Sequence, residues 1–306
     1  MTVFSKLTVL SIALFSAEAL LSTDAIACPG GAAPCNAGGA ANICQFPAPG
    51  VWTCDLTRNG NGVAAAATII YDGAGATCAA AGNLCAWGTD AATGGAFCCE
   101  VARGAITNVN LMGGNQPDTL SFHHPASGLD LDGALTGLAD GREGDDVIHG
   151  SFSVAGTYQD DLRGGSQYDT IYGNDGDDII AGGGEGDTLL GGAGDDTING
   201  NDGDDTINGE AGYDTCHGDA GNDGVQGGSQ DDYVYGDVGS DDVCGGLGND
   251  HLYGGVGDDA LWGAGAGDLL DAGTEVTIGD YCDSSGTDTT GECEYTTLTA
   301  KPTLCP

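Results

Sequence analysis

Positive charge is nearly missing from this chain. Six lysines and arginines stand against 46 aspartates and glutamates, for a formal net charge of −40. A surface this negative repels nucleic acid and anionic lipid, so neither is expected as a partner. It attracts cations. Aromatic residues make up only 6% of the chain, which leaves little bulk for a large packed core. No HExxH zinc motif, no GxSxG nucleophile elbow and no amphipathic pore-forming helix occurs in the sequence. With no constellation of catalytic groups to start from, enzyme activity is not expected. A chain so acidic, with 58 glycines, would ordinarily be disordered. The exception is a chain whose carboxylates are spaced to hold metal.

The first residues have the pattern of a secretory signal. Lys6 gives a positive start, 7–21 is largely apolar, and Ala25-Ile26-Ala27 fits a small-residue cleavage site. The apolar run is too short and too interrupted to span a bilayer, and nothing later is apolar enough. The mature chain is therefore expected to have no transmembrane segment and to be secreted or extracellular, with outer-surface attachment as an option. Cleavage after Ala27 would leave Cys28 first, and its lipidation is the minority option. All 13 cysteines lie beyond this signal, and in an exported protein they are expected to form disulfides. Eight of them (Cys28, Cys35, Cys44, Cys54, Cys78, Cys85, Cys98 and Cys99) fall in residues 28–112, an Ala/Gly-rich segment. Trp52, Trp87, Phe97 and residues 63–71 are its best core candidates. So little apolar bulk calls for covalent staples. Without paired CxxC motifs or ligand histidines, a metal cluster is the weaker reading of these cysteines. The sequence does not choose among their pairings.

From Gly113 a nine-residue repeat takes over. It runs without a gap from Ala155 to Asp271, in units such as GGAGDDTIN from Gly191 and GNDGDDTIN from Gly200. Two further units, GGNQPDTLS from Gly113 and GREGDDVIH from Gly141, lie upstream out of frame, and a weak one, EVTIGDYCD, starts at Glu275. The sixth position of the in-frame units holds Asp160, Asp169, Asp178, Asp187, Asp196, Asp205, Asp214, Asp223, Asp232, Asp241, Asp250, Asp259 and Asp268. Asp118, Asp146 and Asp280 hold that place in the outlying units. The eighth position is apolar throughout, from Leu162 and Ile171 to Leu261 and Leu270, with Cys216 among them. One inward apolar side chain among polar neighbours describes a very short strand, and the flanking glycines allow a sharp turn after three extended residues. Two units complete one turn of a flattened solenoid, so residues 18 apart stack at about 4.8 Å. Each edge then carries a ladder of carboxylates.

The repeat resembles the RTX (hemolysin-type) calcium-binding nonapeptide family, whose pattern is GGxGxDxUx, with U a bulky apolar residue. The resemblance covers residues 113 to about 283, a little over half the chain. It implies an all-β parallel β-roll, with multiple calcium ions held by Asp146 and the thirteen in-frame aspartates. Calcium suits such ladders because it takes six to eight oxygens in flexible geometry, whereas magnesium demands a tighter octahedron. Thiolate or imidazole metals are not favoured by an all-oxygen site. Acids at the fifth position, such as Asp177, Asp195, Asp204 and Asp258, add negative field. Gln116, Gln167 and Gln230 replace the fourth-position glycine, as do Tyr158, Glu185 and Ala266; altered or weaker sites are expected there. The uncleaved C-terminal export signal usual in the family is not evident.

The expected organisation is a signal peptide (1–27), an N-terminal disulfide-rich module (28–112), the β-roll (113–283) and a C-terminal disulfide cap or tail (284–306). A Cys282–Cys293 bridge would close the cap. Cys244 is expected to face outward, within reach of Cys305, and Cys216 to be a buried inert thiol. Tyr172, Tyr235, Tyr253 and Trp262 at ninth positions are expected to pack across strands rather than to bind sugar rings. His123-His124 is a weak metal candidate, and His149, His217 and His251 are scattered along the repeats. Thr170, Thr188, Thr197, Thr206 and Thr215 faintly suggest a flat ice-binding face, which is not expected to be active. With one apolar residue per unit, calcium is expected to carry much of the folding energy. The expected function is a calcium-dependent secreted or cell-surface structural or adhesive protein, with cell-surface or matrix components as partners. A secreted enzyme or toxin component with an unrecognised site is the alternative.

Overall fold

The computed structural model describes side chains over residues 109–113, 117–122, 137–152, 159–264 and 267–273, with further strands described by their backbone alone. Among the described residues there is no helix, and therefore none long and apolar enough to cross a membrane. The signal segment, the proposed Cys282–Cys293 bridge and the side chains of the eight N-terminal cysteines lie outside the described residues.

Two sheets face each other, one of 13 strands and one of 12, parallel throughout the repeats and antiparallel only among the strands before Asn108. Successive units alternate between them. Thr170–Asp175 pairs with Thr188–Ala193 in the first sheet, and Ile179–Gly184 pairs with Thr197–Asp202 in the second. Ile171 lies opposite Leu189, and Ile180 opposite Ile198, so the coil closes once per 18 residues. About six such turns connect Asp160 to Asp268. This is a parallel β-solenoid. Its core is the eighth-position column, in which Leu162, Ile171, Ile180, Leu189, Ile198, Ile207, Cys216, Val225, Val234, Val243, Leu252, Leu261 and Leu270 are all fully buried.

The strands are longer than the spacing predicts. Most run six residues, from the seventh position of one unit through the third of the next, as in Thr197–Asp202. Their burial alternates so that both the eighth-position side chain and the following first-position glycine point inward. The turn falls at the fourth and fifth positions instead. Glycine at the first position leaves a gap in the inner face, and the unit's own aspartate fills it from above. A Cβ on Gly200 would meet the Asp205 carboxylate and the carbonyl of Gly218.

The out-of-frame units join the same coil. Thr119–Ser121 pairs with Val147–His149, which pairs with Thr170–Asp175. Between them in sequence, Thr136–Glu143 pairs with Asp160–Ser166 in the second sheet, and His123–His124 forms a short antiparallel pair with Leu129–Asp130. On the N-terminal side Val51–Asp55 and Ala65–Asp72 add in parallel to the second and first sheets. Beyond Asp271 the sheets continue through Tyr281–Asp283 and Thr289–Thr290.

Cys244 follows the inward Val243 and so stands on the outer face, but it is disulfide-bonded and covered there. It is 1% exposed and packs with Trp262, its partner on the next rung, and with Ala260. The large Trp262 side chain lies beside Cys244 on the neighbouring rung, where most ninth positions meet solvent. Cys216 is a buried free thiol in the apolar column.

Candidate metal centre

Each sixth-position aspartate ends the turn and turns inward, so its backbone and side chain are fixed by the rungs on either side. Asp146 and the thirteen in-frame aspartates are all 0–2% exposed. Along one edge the backbone N–H of Asp160 donates to Asp178 Oδ1 at 2.8 Å. The N–H of Asp178 donates to Asp196 at 2.7 Å, that of Asp196 to Asp214 at 2.9 Å, and that of Asp214 to Asp232 at 2.9 Å. Asp232 and Asp250 continue the chain to Asp268. The opposite edge repeats the pattern from Asp169 through Asp187, Asp205, Asp223 and Asp241 to Asp259. Asp118 and Asp146 belong to that second ladder, with Asp118 N–H donating to Asp146 and Asp146 N–H to Asp169.

One oxygen of each carboxylate is thus used. The other is not. Among the described residues, Oδ2 of Asp146, Asp169, Asp178, Asp187, Asp196, Asp205, Asp214, Asp223, Asp232, Asp241 and Asp250 is buried with no hydrogen-bond partner. A buried acceptor without a donor costs roughly 1–3 kcal/mol, and more when it is charged. Through most of the coil, Oδ2 faces the bare Cα of the unit's first glycine, where the carbonyl oxygen of the next rung's first residue also converges. Asp196 with Gly209, Asp205 with Gly218, and Asp241 with Gly254 show this arrangement. A buried carboxylate oxygen with no donor beside it calls for a proton or a cation. Asp160 differs: its Oδ2 accepts from the Ser151 N–H at 2.8 Å and the Ser151 hydroxyl at 2.9 Å.

The electrostatics agree. Burial pushes Asp178 up to about 9, with the Asp160 carboxylate next to it adding to the rise. Burial likewise pushes Asp169, Asp196 and Asp241 up to about 8, against the lowering effect of the backbone N–H each accepts. Asp146, Asp187, Asp223 and Asp232 rise to about 7, and Asp214 and Asp250 to about 6, again chiefly through burial. Stacked carboxylates cannot all remain charged in so dry a place unless something positive joins them.

The donor set is all oxygen, from carboxylate and backbone carbonyl, and fits a hard divalent ion that takes several oxygens. The RTX calcium-binding nonapeptide repeat model matches the chain four times, at residues 154–189, 182–216, 217–252 and 244–270. These are RTX repeats. No curated protein matches the chain. Within the RTX units, the aspartates at the sixth position would hold calcium through Oδ2, together with first-position carbonyls from the next rung.

Other residues have duties the sequence does not announce. Fifth-position acids also secure the turn: Asp177 accepts the N–H of Asp195, Asp195 that of Tyr213, and Asp204 that of Asn222, at 2.8–3.0 Å. The signal was present as acids 18 residues apart, but it reads first as added negative field. At the fourth position Gln167, Glu185 and Gln230 adopt φ of 79°, 70° and 86°, whereas Gly194, Gly203 and Gly212 take 138°, 144° and 156°. A side chain there confines the turn to the left-handed helical region, so those loops have altered geometry. Gln116, Tyr158 and Ala266 lie outside the described side chains. Tyr235 and Tyr253 stack across rungs with ring centroids 4.8 Å apart, as cross-strand packing predicts.

Proposed function

We propose that this protein is a secreted, non-enzymatic structural or adhesive component of a cell surface or matrix, whose RTX roll becomes rigid on binding calcium outside the cell. The unpartnered Oδ2 column carries this reading. It makes the roll incomplete without cations and complete with them. Extracellular calcium is millimolar, and a set of sites that orders only there keeps the chain unfolded during export and folds it after release. The signal-like N-terminus and the abundance of cysteine fit the same compartment. A net charge of −40 leaves the calcium-free chain extended and soluble through self-repulsion. The long regular coil then serves as a stiff spacer or scaffold, with cell-surface or matrix components as its partners.

The test has two parts. Fractionation of the producing cells, with detection of the native chain, should place it outside the cytoplasm and, if adhesive, on the surface. Binding of the purified chain to such cells should require calcium and be reversed by EGTA. A chain retained in the cytoplasm, or binding unaffected by EGTA, would overturn the proposal.

A further inference from the structure

On the outer face of the second sheet, two neighbouring strands bring together three groups that the calcium ladders do not use as rungs. His217 and Asp219 lie two residues apart on Thr215–Ala220 and so project from the same face. Asp237 lies on the adjacent strand Tyr233–Val238. Their ligand atoms all fall within 4.8 Å of one another. His217 Nδ1 is 2.8 Å from Asp237 Oδ2, and Asn201 Nδ2 donates to Asp219 Oδ2 at 3.1 Å. The Tyr235 ring stacks on the His217 ring at 4.3 Å and 2°, which fixes the imidazole plane.

We propose that His217, Asp219 and Asp237 form a binding site for a divalent transition-metal ion of the zinc class, separate from the calcium ladders. An imidazole nitrogen suits zinc and is foreign to the all-oxygen preference of calcium, so the two kinds of site sort by ligand chemistry. Small side-chain rotations bring three such atoms to about 2 Å from one ion, with water filling the open position. The site is open to solvent: His217 and Asp237 side chains are 30% and 35% exposed. Two carboxylates supply the charge that a neutral imidazole lacks. The supports are already in place, with Asn201 orienting the Asp219 carboxylate and Tyr235 the imidazole, as outer groups around bound metals commonly do. The ligands sit on paired strands rather than on a loop, so their spacing is set by the coil. Asp219 and Asp237 also act electrostatically on the ladder residues Asp223 and Asp241. Zinc must therefore be distinguished from calcium at the rungs.

The test is calorimetric titration of Zn²⁺ into the full chain held in saturating calcium, alongside His217→Ala, Asp237→Asn and, as a control, His251→Ala. Circular dichroism in calcium establishes that each variant retains the coil. The expected result is a zinc site that weakens at least about tenfold in His217→Ala and Asp237→Asn and is unchanged in His251→Ala. Co²⁺ bound to the same site should give visible absorption that His217→Ala loses. Zinc binding that is absent from the parent chain, or equal in the parent and both ligand variants, would overturn the proposal.

Discussion

Asp196 uses its two carboxylate oxygens in opposite ways. Oδ1 accepts the backbone N–H of Asp178, 18 residues earlier, at 2.7 Å, while Oδ2 is buried with no partner. The first bond stitches one rung to the next whether or not metal is present. The second oxygen makes the stitch costly until a positive charge arrives. Repeated along both edges, this relationship links the fold to the cation.

The first consequence concerns pH. In the folded chain the ladder carboxylates titrate above their ordinary value of 3.8, Asp178 near 9 and Asp169, Asp196 and Asp241 near 8. The calcium-free fold therefore holds more protons than the unfolded chain between these values, and its stability falls as pH rises. That contribution is fully present below the unfolded value and is lost as pH climbs through about 6 to 9. Far-ultraviolet circular dichroism without calcium should show most β-structure in mild acid and least in mild alkali. In saturating calcium the trend should reverse, because metal binds the deprotonated form. A calcium-free β signal that grows with pH would be inconsistent with the ladder.

Neutralising one rung should act with opposite signs in the two conditions. Asp196→Asn keeps an oxygen to accept from Asp178 but removes the charge. Without calcium near pH 8 the variant should be at least as ordered as the parent. In calcium it should lose bound ions by calorimetry and unfold at lower temperature, by roughly 1–3 kcal/mol. Asp161→Asn is the control, since Asp161 is a partly exposed partner of Arg163 and surface pairs contribute about 0–1 kcal/mol. If both substitutions behave alike, the buried rung has no special role.

Glycine matters at the first position of the unit and not at the third. Gly200→Ala would drive a Cβ into the Asp205 carboxylate and the Gly218 carbonyl, whereas a Cβ on Gly184 meets only the Gly165 carbonyl at 4.0 Å. Thermal unfolding at fixed calcium should show Gly200→Ala destabilised by about 1–3 kcal/mol and Gly184→Ala close to the parent.

How much of this was legible in the sequence depends on which atoms do the signalling. The Asp and Ile/Val/Leu columns give the coil and its 18-residue turn directly, because charge and bulk at fixed offsets have no other economical arrangement. Strand length was not legible. Gly173 and Gly191 look like turn residues, yet they are the second inward position of a strand, emptied to admit Asp178 and Asp196. The burial of Cys244 was also hidden, since Cys244 is disulfide-bonded and has Trp262 beside it on the next rung. The His217 cluster joins position nine of one unit, position two of the next (Asp219) and position two of a unit a full turn later (Asp237), and no single unit contains it.

Cys216 offers a probe of the coil from inside. It is a fully buried free thiol whose ionisation burial pushes well above the ordinary range. It should resist thiol reagents in calcium and react promptly after EGTA, because the thiolate forms only on exposure. Cys216→Val preserves volume and character in the column and should change stability by less than about 1.5 kcal/mol.

The most direct measurement is far-ultraviolet circular dichroism of the full chain near pH 8, before and after exhaustive EGTA treatment and again after calcium is restored. β-Structure should collapse on chelation and return with calcium. A β signal that stays unchanged through the cycle would contradict calcium-dependent folding.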